Sequence, residues 1–508
     1  MRLGTLLSWP AVAAWRRGDG LPRWIHLLLG LGLPLWILLV NMWRVHWFTI
    51  DDSYISFRYA RNLAHGLGLV YNPGEAVEGY TNFLWTVILA GGFTLGIDPH
   101  VLSKVLGAAA AIGIVVITYR LADRMMPLRT LPCVATWLLA SSMPLTAYAV
   151  LGLETSAFTF LVLWGTWRMF LEVERGARIP WSGLIFAAAG LTRPEAPLFV
   201  GLPMLLLGRG FFSRQNLLRG ALCGGPLLVH LLWRHAYYGA WLPATLGAKT
   251  GDLHQQLDRG SDYLLSYLDT GGPIVFLGLL GLAIGLVRRH RELASLSAIT
   301  VAWFLYVLLV GGDWMSYHRF LAPAEPFLFV LVGLGIRGIV ETRDAAAILA
   351  LSLFTLYAGL VRLHHVGEAQ EKLVKEEMRY WMNTAGQAAE WLATRATPGT
   401  VAIGDIGYVG YRTDYPILDL LGLVDPVIKD LPGGYTRKIG EGYVERFFSV
   451  RPEYAVLVMG SNRCSTPELT GVALVYYDKR FGPDYTLAHQ LQVTSDASWC
   501  IFKRRDLP

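Results

Sequence analysis

The sequence contains little charge for its length. Only 16% of its 508 residues are Asp, Glu, Lys or Arg, whereas a soluble domain carries roughly 25%. Hydrophobic residues make up 54% of the chain, and the mean hydropathy is +0.41. This composition excludes an ordinary soluble protein. It predicts a polytopic α-helical membrane protein, most of which lies in lipid.

Cysteine is also scarce, with four in the chain. Cys133 and Cys223 fall inside apolar runs, whereas Cys464 and Cys500 fall in a polar C-terminal region. Their spacing matches no zinc site. If the C-terminal region lies outside the cytoplasm, Cys464 and Cys500 are able to form a disulfide. The sequence leaves open whether they pair or remain two thiols.

Several familiar motifs are missing. The chain has no Walker loop, no Ser-His-Asp arrangement, no internal repeat and no low-complexity tract. The glycine-rich stretch 404–410 follows a predicted strand, but its spacing does not fit a dinucleotide fingerprint. The first apolar run, 24–48, is longer than the apolar core of about 7–15 residues in a cleavable signal peptide. We therefore expect this run to remain as a membrane anchor.

The net charge of +6 does not indicate a nucleic-acid partner, because the arginines lie in short links between apolar runs. This distribution follows the positive-inside rule of membrane proteins. Arg16, Arg17 and Arg23 precede the first apolar run and predict a cytoplasmic N-terminus. Asp51 and Asp52 then emerge on the outer side, which is the periplasm if the chain lies in a Gram-negative inner membrane.

The apolar runs predict about eleven membrane helices. Run 81–96 is short for a span, and we expect it to lie at the outer surface as a juxtamembrane helix. Run 181–207 is broken by Thr192-Arg193-Pro194-Glu195, which predicts two half-helices meeting at an outward tip. The predicted spans are 24–48, 101–121, 131–150, 155–171, the two halves of 181–207, 217–237, 273–287, 294–310, 327–339 and 345–361, with a polar loop at 241–270.

An odd number of crossings places the C-terminus outside. We therefore divide the chain into a membrane domain, 1–365, whose first outer loop is 51–100, and an extracytoplasmic α/β domain, 366–508. Apolar stripes and Gly, Pro and Asp turns predict the elements of the second domain. They are helices at 368–395 and 443–448 and strands at 401–404, 416–421, 455–459 and 499–502.

Polar groups converge on the outer face in this topology. Each has an ordinary explanation: the Asp51-Asp52 pair and Glu154 could cap helices, Arg193 could simply pair with Glu195, and Gly311-Gly312-Asp313 could be a turn. Their position on one side favours a functional site. The set is Asp51, Asp52, Arg58, Arg61, Glu75, Glu78, Glu154, Arg193, Glu195, Asp313, His318 and Arg319.

Carboxylates beside arginines have a chemical use. A carboxylate within hydrogen-bond reach of an acceptor hydroxyl is able to act as a general base. Arginine forks bind a phosphate and stabilise the charge of a phosphate leaving group, which a lipid carrier would deliver from the bilayer. Asp51 and Asp52 are also hard oxygen ligands for Mg²⁺, Mn²⁺ or Ca²⁺, so the need for a divalent cation stays open.

The stretch from Asp51 to Asn62, with Tyr71-Asn-Pro-Gly-Glu-Ala-Val-Glu78-Gly-Tyr-Thr-Asn82, resembles the GT-C superfamily of integral-membrane glycosyltransferases. It is most similar to the branch with the mycobacterial terminal β-(1→2)-arabinofuranosyltransferase and the pilin arabinosyltransferase of pseudomonads. Further motifs extend the resemblance over nearly the whole chain. They are Gly152-Leu-Glu154-Thr, Leu191-Thr-Arg193-Pro-Glu195, Gly311-Gly-Asp313-Trp, His318-Arg319-Phe320, Gly404-Asp405-Ile-Gly-Tyr408 and Asp419 to Asp425-Pro.

The resemblance implies a polyprenyl-phosphate-linked sugar as donor, transfer on the outer face and a catalytic aspartate in the first outer loop. Asp51 is the first candidate and Asp52 the second. The same resemblance implies that the C-terminal domain is an extracytoplasmic cap able to bind a glycan or protein acceptor. From charge and position, we infer a donor- and substrate-binding set of Arg58, Arg61, Glu78, Glu154, Arg193, Glu195, Asp313, His318 and Arg319.

Two alternatives stay open at this point. A transporter or flippase for a lipid-linked sugar would place its carboxylates near the bilayer midplane and often shows repeated halves. A non-catalytic scaffold would tolerate loss of Asp51 and Asp52. The sequence itself names neither the sugar nor the acceptor.

Overall fold

The computed structural model describes residues 23–125, 133–207, 210, 212–245, 253–287, 290–341, 345–433, 437–461, 463–493 and 497–507. Arg16 and Arg17, on which the cytoplasmic N-terminus was predicted, lie outside these residues. The N-terminal part is helical, and the C-terminal part is a five-stranded sheet with helices. This confirms a helical membrane part followed by an α/β region.

The first helix is built from Arg23–Leu27, a π-helical turn at Leu28–Gly32, and Leu33–Val45. The helices that follow in the membrane part are Asp51–Ala64, Phe83–Thr94, Pro99–Met125, Val134–Ala140, Met143–Tyr148, Thr155–Arg175, Ser182–Thr192, Pro197–Leu207, Arg214–Tyr238, Leu253–Val287, Arg291–Val310, Glu325–Glu341 and Ala345–Lys372.

Fewer helices are long and apolar enough to cross a membrane than predicted. Within the described residues there are three, Trp24–Val45, Pro99–Met125 and Arg291–Val310. A fourth is added if Leu253–Asp269 and Gly271–Val287, which meet at 96°, count as one span. The predicted count of about eleven spans is therefore not confirmed, because several apolar runs form helices that are short or interrupted.

The break in run 181–207 is confirmed. Ser182–Thr192 and Pro197–Leu207 are separate helices. Arg193 between them has an extended backbone, with φ −153° and ψ 135°, because the proline that follows it disfavours the helical conformation. Run 81–96 forms the predicted short helix, Phe83–Thr94.

Two other predictions were wrong. Run 131–150 is not one helix. Its described part forms two helices, one ending at Ala140 and the next beginning at Met143. Ser142 caps the second helix by accepting a hydrogen bond from the N–H of Leu145. The polar loop predicted at 241–270 contains the first half of helix Leu253–Val287. The segment contains Leu, Gln, Asp and Arg residues, which are compatible with a helix. Its polar residues alone therefore led to the wrong prediction of a loop.

The C-terminal sheet has the order β2-β1-β3-β5-β4. The strands are β1 Val401–Ile403, β2 Ile417–Asp419, β3 Tyr454–Met459, β4 Tyr485–Gln492 and β5 Ser498–Arg504. β1 pairs in parallel with β2 and β3, whereas β5 is antiparallel to both β3 and β4. The four predicted strands are confirmed. β4 was missed because it is an edge strand with several exposed polar positions and lacks a continuous apolar run.

The helices of the C-terminal part are Ile406–Thr413, Glu441–Val450, Thr470–Tyr476 and Phe481–Asp484. The helix predicted at 368–395 continues Ala345–Lys372 without a break, through two π-helical segments, Leu373–Glu377 and Met382–Gly386. One helix thus runs across the predicted boundary at 365/366. The division of the chain there stays a prediction.

One hydrophobic core joins the first outer loop to the sheet. Ile55, Tyr59 and Tyr71 of the loop are buried in the same cluster as Ile403 and Trp499 of strands β1 and β5. The loop therefore packs as part of the C-terminal fold. This shared core fixes the position of the site.

Cys464 and Cys500 form a disulfide, with their Cα atoms 5.8 Å apart. The sequence left this pairing open. The bond ties β5 to the segment that follows β3, 36 residues earlier in the chain. A disulfide is typical of an oxidising compartment outside the cytoplasm.

Removing the disulfide should destabilise the C-terminal region. We expect the Cys464→Ala/Cys500→Ala variant of the full chain to lose roughly 2–4 kcal/mol of unfolding free energy there, because the unfolded chain regains entropy. Limited proteolysis of the purified protein in detergent would measure this loss. A reductant should sensitise the wild type to the same degree and leave the variant unchanged; equal protease resistance in both proteins would contradict the prediction.

Candidate active site

The carboxylate of Asp51 joins the first outer loop to the C-terminal region. Asp51 begins helix Asp51–Ala64, yet its carboxylate caps another helix, Ile406–Thr413. Its Oδ2 accepts the N–H of Gly407 at 3.0 Å, and its Oδ1 accepts the N–H of Tyr408 at 2.7 Å. The side chain is buried, with 5% of the residue exposed. The N-terminal amides of a helix are a favourable partner for a carboxylate.

Three carboxylates meet at this point. Burial, together with the charges of Asp405 and Asp52, raises the pKa of Asp51 to about 8, although the Tyr408 and Gly407 amides act in the opposite direction. Burial, with the charges of Asp52 and Glu468, raises the pKa of Asp405 to about 7. Such perturbed carboxyls are typical of functional sites. Asp405 was not among the predicted site residues, although its glycine-rich motif had been noted.

Arg58 is also part of this contact. Its guanidinium is fully buried and donates to the carbonyl oxygens of Tyr71 at 2.9 Å, Gly410 at 2.8 Å and Tyr415 at 2.8 Å. It also lies 4.3 Å from the centre of the Tyr71 ring. These partners differ from the donor phosphate expected from the sequence. The structure gives Arg58 the task of joining the outer loop to the C-terminal region.

Arg61 extends the same contact. Its Nη2 pairs with Asp414 at 2.7 Å, and its Nη1 donates to the carbonyl of Tyr411 at 3.0 Å. The glycines opposite allow the close approach: a Cβ on Gly407 would lie 2.0 Å from the Asp51 carbonyl oxygen, and one on Gly410 would lie 2.0 Å from the Tyr71 hydroxyl. Helix packing thus explains the glycines at 407 and 410.

A second cluster surrounds Arg193. Its guanidinium binds Glu195 through Nη2 at 3.0 Å and Glu154 through Nη1 at 3.1 Å. Glu154 also accepts a hydrogen bond from Asn82 at 2.9 Å, and Glu195 accepts one from the Tyr306 hydroxyl at 2.8 Å. The expected ion pair between Arg193 and Glu195 is present. It is one part of a larger buried network.

Arg319 lies beside this cluster. Its Nε donates to Asp313 at 2.6 Å. Its guanidinium carbon is 5.3 Å from the centre of the Phe320 ring, and that of Arg193 is 5.1 Å from the same ring. The residue is 6% exposed. Two nearly buried arginines therefore lie near one aromatic ring at the break between the half-helices.

The two clusters are connected through helix Asp51–Ala64. Ser53 donates to the carbonyl of Leu151 at 3.0 Å, just before the turn that carries Glu154. Ser56 exchanges hydrogen bonds with Asn82, which in turn contacts Glu154. The acidic pair at the start of the helix and the arginines at the break thus belong to one assembly.

Two predicted residues lie in other contacts. Glu78 is buried and pairs with Arg234, with 2.6 Å between Oε2 and Nε. His318 has a left-handed backbone, with φ 53°, and its Nε2 lies 2.8 Å from the Ser266 hydroxyl. Burial lowers the pKa of His318 to about 4, so that it is neutral near pH 7.

Within the described residues, no group of three or more His, Cys, Asp or Glu side chains is placed to hold a metal ion. The three carboxylates at Asp51, Asp52 and Asp405 do not form such a group. The role of Asp51 and Asp52 as ligands of a divalent cation stays a prediction.

The chain is similar in sequence to two curated proteins. The terminal beta-(1->2)-arabinofuranosyltransferase of Mycobacterium tuberculosis is 30% identical over 328 residues, which cover 55% of this chain and 51% of that protein. The enzyme of the same name from Corynebacterium glutamicum is 28% identical over 332 residues, covering 55% and 47%. The chain thus matches about half the length of these relatives. A family model described as a domain of unknown function (DUF8728) matches residues 372–502.

Solved structures share the fold. ArnT from Cupriavidus metallidurans, bound to undecaprenyl phosphate, has a TM-score of 0.54 and 13% identity, and the match covers 94% of this chain and 97% of ArnT. AglB from Archaeoglobus fulgidus, in complex with an inhibitory peptide and a dolichol-phosphate, has a TM-score of 0.54 and 12% identity, covering 96% and 75%. The chain has the GT-C fold of these proteins, which confirms the resemblance found in the sequence.

We predict that Arg58 is needed to hold the outer loop to the C-terminal region. Arg58→Ala should remove three hydrogen bonds from a charged donor, at a cost of roughly 3 kcal/mol or more. The carbonyl oxygens of Tyr71 and Gly410 keep the Asn62 amide and the N–H of Asp414 as donors, whereas that of Tyr415 loses its side-chain donor. Hydrogen exchange of the full chain should then rise at 406–417. The control is Arg412→Ala, which removes an exposed ion pair with Glu390 and should cost less than about 0.5 kcal/mol. Equal effects of the two substitutions would refute the assignment.

Proposed function

We propose that this chain is a membrane glycosyltransferase that transfers a sugar, arabinofuranose, from a polyprenyl-phosphate donor to a cell-envelope glycan or pilin-like protein. Transfer takes place at the outer face of the bacterial inner membrane, with the N-terminus in the cytoplasm and the C-terminal region in the periplasm. The activity is inferred from relatives that the chain matches over about half their length.

The observation that carries this proposal is the pair of buried arginines beside carboxylates on a GT-C fold. Arg319 uses only its Nε in a hydrogen bond with another described residue, Asp313. Its Nη groups are therefore available to a phosphate, which an arginine fork binds in two-pronged geometry. Glu195 and Glu154 hold Arg193 in a fixed orientation near the same Phe320 ring. Fixed donors stabilise developing charge because they need no reorganisation.

The proposed step moves one glycosyl group. A carboxylate of the Asp51-Asp52 pair takes the proton of the acceptor hydroxyl, and the acceptor oxygen forms a bond to the anomeric carbon of the sugar. The bond between that carbon and the donor phosphate oxygen breaks. Its electron pair leaves with polyprenyl phosphate, whose added charge Arg193 and Arg319 stabilise. We assign Asp313 and Glu195 the role of accepting hydrogen bonds from sugar hydroxyls.

The choice of donor draws on the neighbours. ArnT was solved with undecaprenyl phosphate and AglB with a dolichol-phosphate, and the similar sequences act on arabinofuranose by name. A lipid carrier enters from the bilayer, and broken helices at membrane depth are found where they line a protein cavity. We propose that the break at Arg193 is such a place. No step is assigned to a metal ion.

We predict that Arg319→Ala lowers transfer about 10²–10³-fold, the usual effect of removing one transition-state donor. Arg319→Lys should lose less, because it keeps the charge without the fork. The assay follows radiolabelled arabinose from synthetic polyprenyl-phosphoarabinofuranose into membrane acceptors, with and without EDTA. The matched control is Arg480→Ala, which removes an arginine that pairs with Glu445 and Asp478 in the C-terminal region. Wild-type membranes that bind the lipid but transfer nothing would refute the proposed reaction.

We also predict the orientation of the chain. Trp43 and Trp47 are 66% and 68% exposed at the end of the first helix, a position typical of an aromatic belt at the membrane surface. In a background lacking Cys133 and Cys223, Asp430→Cys should react with an impermeant maleimide from outside intact spheroplasts. Glu174→Cys should react only after permeabilisation. Labelling of Glu174→Cys in intact spheroplasts would overturn the orientation.

A further inference from the structure

The two aspartates of the first outer loop have different surroundings. Both carboxylate oxygens of Asp51 accept backbone N–H groups, and the residue is 5% exposed. Asp52, one position later, is half-buried. A general base must bring an oxygen within hydrogen-bond reach of the substrate proton. Asp51 is buried and each of its oxygens already accepts an amide, so it is less accessible to a substrate hydroxyl than Asp52.

The helix that Asp51 holds carries other groups of the site. Helix Ile406–Thr413 starts after Asp405 and includes Tyr408, whose ring centre lies 4.9 Å from that of Tyr54 on helix Asp51–Ala64. The Asp51 backbone lies so close to Gly407 that a side chain at position 407 would clash with it. The Asp51 carboxylate therefore sets the distance between these two helices. It thereby places Asp405 next to Asp52, whose charges act on each other.

We propose that the two aspartates have different roles. Asp51 is a positioning residue that holds helix Ile406–Thr413 against the first outer loop, and Asp52 is the carboxylate that takes the acceptor proton. This inference rests on the proposed function. It adds that the C-terminal region is part of the active site, because the correct placement of Asp52 and Asp405 depends on a contact between the two parts of the chain.

The experiment compares Asp51→Asn, Asp52→Asn and the control Asp414→Asn, which weakens the exposed end of the same contact. For each full-length variant we would measure kcat and the acceptor KM of arabinose transfer, and hydrogen exchange of the Gly407 and Tyr408 amides. Asp52→Asn should lower kcat about 10²–10⁴-fold, the contribution of a general base, and leave exchange unchanged. Asp51→Asn should speed exchange at these amides about tenfold or more. Asp51→Asn should lower kcat more than it changes the acceptor KM, and less than Asp52→Asn lowers kcat, because it displaces the general base without removing it. Asp414→Asn should change neither amide.

Loss of kcat in Asp51→Asn without faster exchange would overturn this assignment of roles, as would an active Asp52→Asn. If Asp51→Asn does not accumulate in membranes, Asp51→Ser serves instead, because its hydroxyl is able to accept one of the two amides. A wild-type chain that transfers no sugar would overturn the proposed function and the role of Asp52 with it. Faster exchange confined to the Asp51 variants would still support the positioning role of Asp51.

Discussion

The structure depends on the contact between the first outer loop and the C-terminal sheet region. Asp51 accepts two amides from helix Ile406–Thr413, and Arg58 donates to three carbonyl oxygens across the same surface. Both groups are buried ionisable side chains whose loss would leave unpaired polar atoms in a dry interior. Because the apolar residues of the loop and the sheet form one core, these polar contacts also fix how the two parts are oriented.

This contact decides the geometry of the arginine cluster as well. Helix Asp51–Ala64 is held on one side by the C-terminal region and on the other by the turn before Glu154. Through Ser56 and Asn82 it reaches Glu154, which orients Arg193. This helix and a series of hydrogen-bonded side chains thus connect the C-terminal region to the break between two half-helices. Displacement at either end would alter the position of the other.

The arrangement suits a reaction between a lipid-borne donor and a water-borne acceptor. The two arginines lie at a helix break, where the backbone leaves the helical conformation and polar groups are tolerated because protein surrounds them. The carboxylates lie where the loop meets the C-terminal region. Desolvation there raises the pKa of Asp51 and Asp405 toward neutrality.

The sequence by itself determined the helical membrane part, the broken helix at Arg193, four of the five strands and the acidic loop, because apolar periodicity, proline and turn residues act locally. It also carried the resemblance to GT-C enzymes. Only the tertiary structure decided that Arg58 binds carbonyls of a segment about 350 residues away, that Asp51 caps a helix of another region, and that Cys464 and Cys500 pair. These contacts join residues far apart in the chain, and no local pattern specifies which distant partner a buried charge will find.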